Sequence, residues 1–260
     1  MAHNKSTKPY LDAAHPVAIA HRGFSLDGLE NSLQAFQAAL DLKYSYVESD
    51  INTTADGVTV VFHDSTLDRV TDQNGVIAQL PYSEVGKARI GGREPIATLR
   101  EFVAALPGAK FNIDVKDQGS VVPLADLIEE WGLHDRVCVA SFSGKRRRQV
   151  LSRLSRPVAS SPGKSHLAAY FFLSPWLPRP FTRFLMRQVD VLQIPRRHGN
   201  LELVTGASVR RAHRLGLKVH VWTINDPAEM HQLFDLGVDG IMSDRADLLA
   251  DVMRQRGYWT

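Results

Sequence analysis

"VAIAHRGFSLDGLENSLQAF", residues 17–36, holds the pattern from which the fold is read. Its first four residues are apolar, as in a short strand buried on both faces, and the run stops at His21-Arg22-Gly23. A second polar triplet, Glu30-Asn31-Ser32, then precedes Leu33, Phe36 and Leu40, an apolar spacing that marks one face of a helix. Asn31-Ser-Leu-Gln34 reads as the capping box that opens that helix. The unit is a strand, a polar turn and a helix.

The unit recurs along the chain. Further short apolar runs fall at 46–51, 58–62, 111–115, 137–140, 157–160, 189–194, 218–222 and 240–242, with helical patterns between them. Thr98-Leu-Arg-Glu101 forms a second capping box. Asp226 with Pro227 opens another helix, which Gly237 stops, and Gly216 ends the helix before it. About eight such units in 260 residues point to a (β/α)8 TIM barrel in one domain, residues 16–256, behind a polar N-terminal extension, 1–15. A doubly wound open sheet is the alternative, but no glycine-rich dinucleotide loop follows the first strand.

Composition bounds the partners. The hydrophobic fraction of 44% and charged fraction of 23% are those of an ordinary globular protein. A net charge of +3 is too small to argue for nucleic acid, and the basic run 145–148 reads as a solvated helix start. The single cysteine, Cys138, lies in an apolar run and is expected to be a buried thiol. With no apolar leader and no run of 18 apolar residues, a cytoplasmic location is expected.

Polar residues gather where the strands end. His21 and Arg22 follow the first; Glu48 and Asp50 lie in "YVESDIN", His63 and Asp64 end "VTVVFHD", Asp114 and Lys116 lie in "FNIDVK", and Trp222 and Asn225 lie in "VHVWTIN". In a barrel, that end builds the active site. Glu48 and Asp50 are two apart and therefore share one side of a strand; alone, the pair would equally suit a solvated strand end. With Asp114 the carboxylates would repel one another unless a cation sat among them, and hard oxygen donors suit Mg²⁺ or Ca²⁺. His21 and His63 stand out among ten histidines as an acid/base pair, and Arg22 and Lys116 offer charge for an anionic, phosphate-bearing substrate. Gly23 allows a sharp turn after the reacting residues.

These residues resemble the glycerophosphodiester phosphodiesterase family. The matching segments are "HRG" (21–23), "ENS" (30–32), "ESD" (48–50), "ADGVTVVFHD" (55–64), "LDRVT" (67–71), "IATLREF" (96–102), "DVK" (114–116), "VWTIN" (221–225) and "GVDGIMSDRADLL" (237–249), in the family's order across nearly the whole chain. The resemblance implies a (β/α)8 barrel and one divalent cation held by Glu48, Asp50 and Asp114, with Glu30 as an outer member of that site. It implies His21 and His63 as general acid and base, Arg22 and Lys116 on the phosphate, and Trp222 as an apolar wall. The implied reaction cleaves a phosphodiester through attack of the glycerol 2-hydroxyl and a cyclic phosphate that water opens.

The chain departs from the family pattern at three residues and in one segment. Asp114 stands where a glutamate is more usual, Leu29 replaces a proline, and Ser32 replaces a threonine. The segment between Arg69 and Thr98 is short, a loop in place of the larger family insertion, so an open mouth is expected. Beside it, "HLAAYFFLSPWLPRPFTRFLMRQ" (166–188) interleaves aromatics with Arg179, Arg183 and Arg187. It reads either as a barrel helix packing Phe184, Leu185 and Met186 on the core, or as a peripheral contact with an anionic membrane. The second reading would admit a lysophospholipid in place of a soluble glycerophosphodiester. A non-catalytic phosphate- or lipid-binding barrel is a third reading, and one that leaves the two histidines without a task.

Overall fold

A computed structural model describes residues 8–174 and 176–259. Residues 1–7 of the expected extension and Pro175 within the 166–188 stretch lie outside the described residues. Eight parallel strands form the barrel: β1 (Val17–His21), β2 (Tyr46–Thr53), β3 (Lys110–Val115), β4 (Val137–Ala140), β5 (Ala159–Ser160), β6 (Val191–Pro195), β7 (Lys218–Trp222) and β8 (Gly240–Ser243). They pair in the order β5-β4-β3-β2-β1-β8-β7-β6. Where β5 meets β6, Asp190 N–H donates to the Ser160 carbonyl at 3.0 Å, and Ser160 N–H donates to the Asp190 carboxylate at 3.0 Å. The barrel is thus nearly closed.

Of the nine apolar runs, one, 58–62, is not a barrel strand. Thr59–Val61 pairs antiparallel with β2, with Thr59 opposite Thr53. A parallel crossover needs a dozen or more residues, whereas here the chain turns back within the segment 54–58 through Gly57 at φ 88°. That hairpin carries His63 back to the end of β2.

Strand alternation divides the apolar residues into two sets. Val47, Ile51, Phe111, Ile113, Val115, Val139, Val219 and Ile241 face outward into the main core, which also holds Phe36, Phe102 and Leu249 from the helices. Ile19, Tyr46, Cys138, Val191 and Met242 fill the barrel interior. Tyr10 and Leu11, on a 3₁₀ turn at Pro9–Leu11, join the interior cluster, so this turn closes the barrel floor. Cys138 is buried, and burial pushes its thiol far up.

Among the described residues, and apart from the single turn Tyr82–Val85, nine helices wrap the outside: α1 (Leu33–Asp41), α2 (Leu99–Ala105), α3 (Val121–Glu130), α4 (Gly144–Leu151), α5 (Lys164–Leu173), α6 (Arg179–Leu185), α7 (Gly206–Arg214), α8 (Pro227–Asp235) and α9 (Ala246–Gln255). Helix α2 has the expected Thr98–Glu101 capping box, and Asp226 caps α8 through Glu229 N–H. Helix α1 is capped by Ser32 and not by Asn31, whose backbone is left-handed at φ 61°. The basic run at the start of α4 is not wholly solvated. Arg147 is fully buried and donates to Ser160 Oγ at 2.9 Å and to the Gln188 carbonyl at 2.6 Å.

The segment expected as a short loop between Arg69 and Thr98 has its own small core. Leu67, Ile77, Val85 and Ile90 pack with Val60 and Phe62 below the hairpin that carries His63.

Candidate active site

The inward positions at the C-terminal ends of the strands meet in one pocket of about 160 Å³. Its lining includes His21, Arg22, Glu48, Asp50, His63, Asp114, Lys116 and Trp222. The structure therefore brings together every site residue expected from the sequence except Glu30. Strand register sets the first contacts: His21 lies opposite Glu48, and Asp50 lies opposite Asp114.

Each histidine is held by a carboxylate. His21 Nδ1 is 2.6 Å from Asp244 Oδ1, and Asn225 Nδ2 donates to the other oxygen of Asp244 at 2.9 Å. His63 Nδ1 is 2.5 Å from Asp64 Oδ1, and Arg69 Nε donates to Asp64 Oδ2 at 2.5 Å. An ionised carboxylate only accepts, so Nδ1 carries the proton in both rings and the lone pair of the neutral ring sits on Nε2. Burial works against a charge on His21, but Glu48 and Asp244 outweigh it and raise its pKa. The Arg69 guanidinium, helped by the His63 ring, holds the Asp64 carboxyl down at about 2.

The loop bearing His63 is pinned by β2. Phe62 N–H donates to the Asp50 carbonyl at 2.9 Å, and Asn52 Nδ2 donates to the carbonyls of Phe62 and Asp64 at 2.9 and 3.1 Å. Arg22 is in the left-handed region at φ 57°, and its guanidinium reaches Glu30 at 2.9 Å and Asp50 at 3.2 Å. Gly23 follows at φ 86°, and a Cβ there would lie 2.6 Å from the Ala35 carbonyl carbon of α1.

The carboxylates differ in their partners. Lys116 Nζ sits between Asp50 (2.8 Å) and Asp114 (2.7 Å). Burial would raise the Asp50 pKa, but Lys116, Arg22 and His63 together hold it below the usual carboxylate range. Asp114 goes the other way, raised by burial. Burial and the neighbouring Asp50 push Glu48 up to about 8. Glu30 stands outside the pocket, with both oxygens taken by Arg69 (2.6 and 3.0 Å) and one shared with Arg22.

A divalent cation was expected on these carboxylates. Among the described residues, no three His, Cys, Asp or Glu side chains are gathered as a ready-formed cation site. The donor chemistry nevertheless fits: Glu48 Oε2 and Asp114 Oδ1 are buried without a hydrogen-bond partner, and both residues line the pocket. Two orphaned carboxylate oxygens in one pocket suit a hard cation.

Sequence reasoning missed several contributors. Asp244 lies just past the end of β8 and follows the same strand-end rule that found the others. Phe142 lies across the mouth from Trp222, ring centroids 6.2 Å apart and planes at 77°. Gln193 donates to Asn112 at 2.8 Å within the barrel, and such a polar pair on separate apolar strands gives no local sequence signal.

A nearly closed (β/α)8 barrel gathers two histidines, three carboxylates and two cationic side chains in one pocket at its C-terminal rim, where barrel enzymes build their active sites. Residues 21–248 match the Glycerophosphoryl diester phosphodiesterase family, and the chain belongs to it. It is a phosphoric diester hydrolase of the glycerophosphodiester phosphodiesterase type. The chain is 41% identical to a probable glycerophosphodiester phosphodiesterase of Mycobacterium tuberculosis, over 97% of this chain and 96% of that protein. It is 25% identical to a human lysophospholipase D over 90% of this chain and 85% of that one. An Oleispira antarctica phosphodiesterase, solved with the product sn-glycerol-3-phosphate, shares the fold at TM-score 0.73 and 22% identity, over 92% of this chain and 97% of that one.

Proposed function

We propose that this enzyme cleaves soluble glycerophosphodiesters to glycerol phosphate and an alcohol, with His21 and His63 as its acid/base pair. One observation carries the reading: both rings line the same pocket, and each presents Nε2 as its basic nitrogen because a carboxylate holds Nδ1. One ring takes the proton of the attacking glycerol 2-hydroxyl. The other gives a proton to the departing alcohol oxygen, and water then opens the cyclic phosphate. Arg22 and Lys116 supply positive charge for the phosphate oxygens, and Trp222 with Phe142 forms an apolar wall for the alcohol.

Glu48, Asp50 and Asp114 would hold a divalent cation, Mg²⁺ or Ca²⁺, whose chemistry is to polarise a phosphoryl oxygen. The two orphaned oxygens on Glu48 and Asp114 support that set.

The test is phosphorus NMR of glycerophosphocholine turnover by the wild type and by His21→Ala and His63→Ala, with and without chelator. Each variant is expected to lose about 10²–10⁴-fold in kcat/KM. Near-normal turnover by His63→Ala would sink the assignment.

A second reading, lysophospholipid cleavage, is favoured by the exposed apolar side chains of α5 and α6 and by the name of the human relative. The same NMR assay with lysophosphatidylcholine distinguishes it.

A further inference from the structure

Eleven large apolar side chains are exposed among the described residues, and six of them fall between 172 and 184. Phe172 is 70% exposed, Trp176 87%, Phe181 65% and Phe184 66%. The alternative expectation for this stretch was a helix packing Phe184, Leu185 and Met186 on the core. Only Met186 of the three is buried, and α6 turns Thr182 and Met186 inward while its aromatic face points to solvent. On α5, Tyr170 is buried and Phe171 packs on the core, so the outward aromatics begin at Phe172. A patch of this density is unusual on a soluble surface and marks a contact.

The charges around the patch have one sign. No Asp or Glu occurs from 164 to 189, or from 203 to 225. Arg179, Arg183 and Arg187 are exposed among the aromatics, with the Arg187 guanidinium 4.7 Å from the centre of the Phe184 ring. At the foot of the patch a cleft of about 270 Å³ is lined by Arg179, Arg211 and Arg214 with Ser174 and Thr182, and by no carboxylate. None of these arginines makes an ion pair among the described residues. Guanidinium forks beside hydroxyls match phosphate oxygens. Outward aromatics flanked by arginines match the boundary between headgroups and acyl chains.

The patch is also joined to the pocket mouth. Lys164 begins α5 and donates its N–H to the Phe142 carbonyl at 3.1 Å. Its ammonium lies 4.9 Å from the centre of the Phe142 ring, which Lys116 approaches at 5.5 Å from within the site.

We propose that the α5–α6 surface docks this protein on an anionic phospholipid bilayer, with the aromatics at the acyl boundary and the arginine cleft on lipid phosphates. The barrel mouth then opens beside the membrane. Docking needs no catalysis, so the proposal stands or falls apart from the reading of the active site.

The experiment is vesicle co-sedimentation of the full chain with phosphatidylglycerol–phosphatidylcholine vesicles and with phosphatidylcholine alone, at low and high salt. Wild-type protein is expected on the anionic vesicles, with binding weakened by salt. Replacing Phe172, Trp176, Phe181 and Phe184 by Ser is expected to weaken binding at least about tenfold. Replacing Arg179, Arg183 and Arg187 by Gln is expected to remove its salt-sensitive part. Circular dichroism and a cooperative thermal transition, unchanged in both variants, report that they fold. On wild-type protein, a blue shift of tryptophan fluorescence with anionic vesicles, absent in Trp176→Phe, gives a second readout. Equal binding by wild type and the Ser variant overturns the proposal, as does wild-type binding to neither vesicle. Self-association without lipid, abolished by the Ser substitutions, would assign the patch to a second copy of the chain and overturn it too.

Discussion

Asp244 and His21 lie 223 residues apart in the chain and touch at 2.6 Å, from carboxylate Oδ1 to ring Nδ1. The contact joins the end of the last barrel strand to the end of the first, and it selects the tautomer that leaves Nε2 basic. Asn225 holds the far oxygen of Asp244, so the carboxylate cannot swing away freely. Asp244→Asn is expected to keep the fold and lower kcat by about 10–100-fold. Steady-state kinetics on glycerophosphocholine check it, and unchanged kcat would remove Asp244 from the machinery.

Burial and then Asp50 push the Glu48 carboxyl up to about 8, so it holds a proton to higher pH than an ordinary glutamate. A cation that takes Glu48 as a ligand must displace that proton. Calorimetric titration of chelator-treated protein with Mg²⁺ or Ca²⁺ at pH 7 should release close to one proton per ion. Heats that do not depend on buffer ionisation enthalpy would contradict displacement of a proton from Glu48.

Gly23 is both left-handed and pressed against α1. Gly23→Ala is expected to lower stability by more than about 1 kcal/mol, since a Cβ adds strain and forces the His21–Arg22 turn off the helix. Urea unfolding reads the loss. An unchanged midpoint would mean the turn relaxes without cost.

His220 is buried within the barrel, and burial depresses its pKa from 6.5 to about 4. The folded state thus binds fewer protons than the unfolded chain between those values. Its contribution is fully present above pH 6.5 and is lost as the pH falls through 4, roughly 3 kcal/mol in all. Unfolding free energies of the wild type and His220→Leu, compared from pH 7 to 4.5, should diverge in slope. Parallel curves would contradict the depressed value.

Much of the site was legible because barrel strands deliver their last inward residues to one face. His21, Asp50, His63, Asp114, Lys116 and Trp222 sit near or just past a strand end in the sequence, Glu48 lies one inward position before Asp50, and all line the pocket. Asp244 escaped notice although it follows an apolar run in the same way. The direction of the run 58–62 was not legible, because a short antiparallel strand and a buried parallel one share the same apolar composition.

By itself, then, the sequence determined the (β/α)8 barrel, its helix caps at Thr98 and Asp226, and the set of residues at its reacting end. Those features arise from local periodicity and from strand order along the chain. Only the tertiary structure decided how the charges pair: Lys116 between Asp50 and Asp114, Glu30 drawn off by Arg22 and Arg69, and the aromatic face of α6 turned outward. Ion pairs and helix rotation depend on neighbours brought together from distant parts of the chain, and no spacing along the sequence encodes those distances.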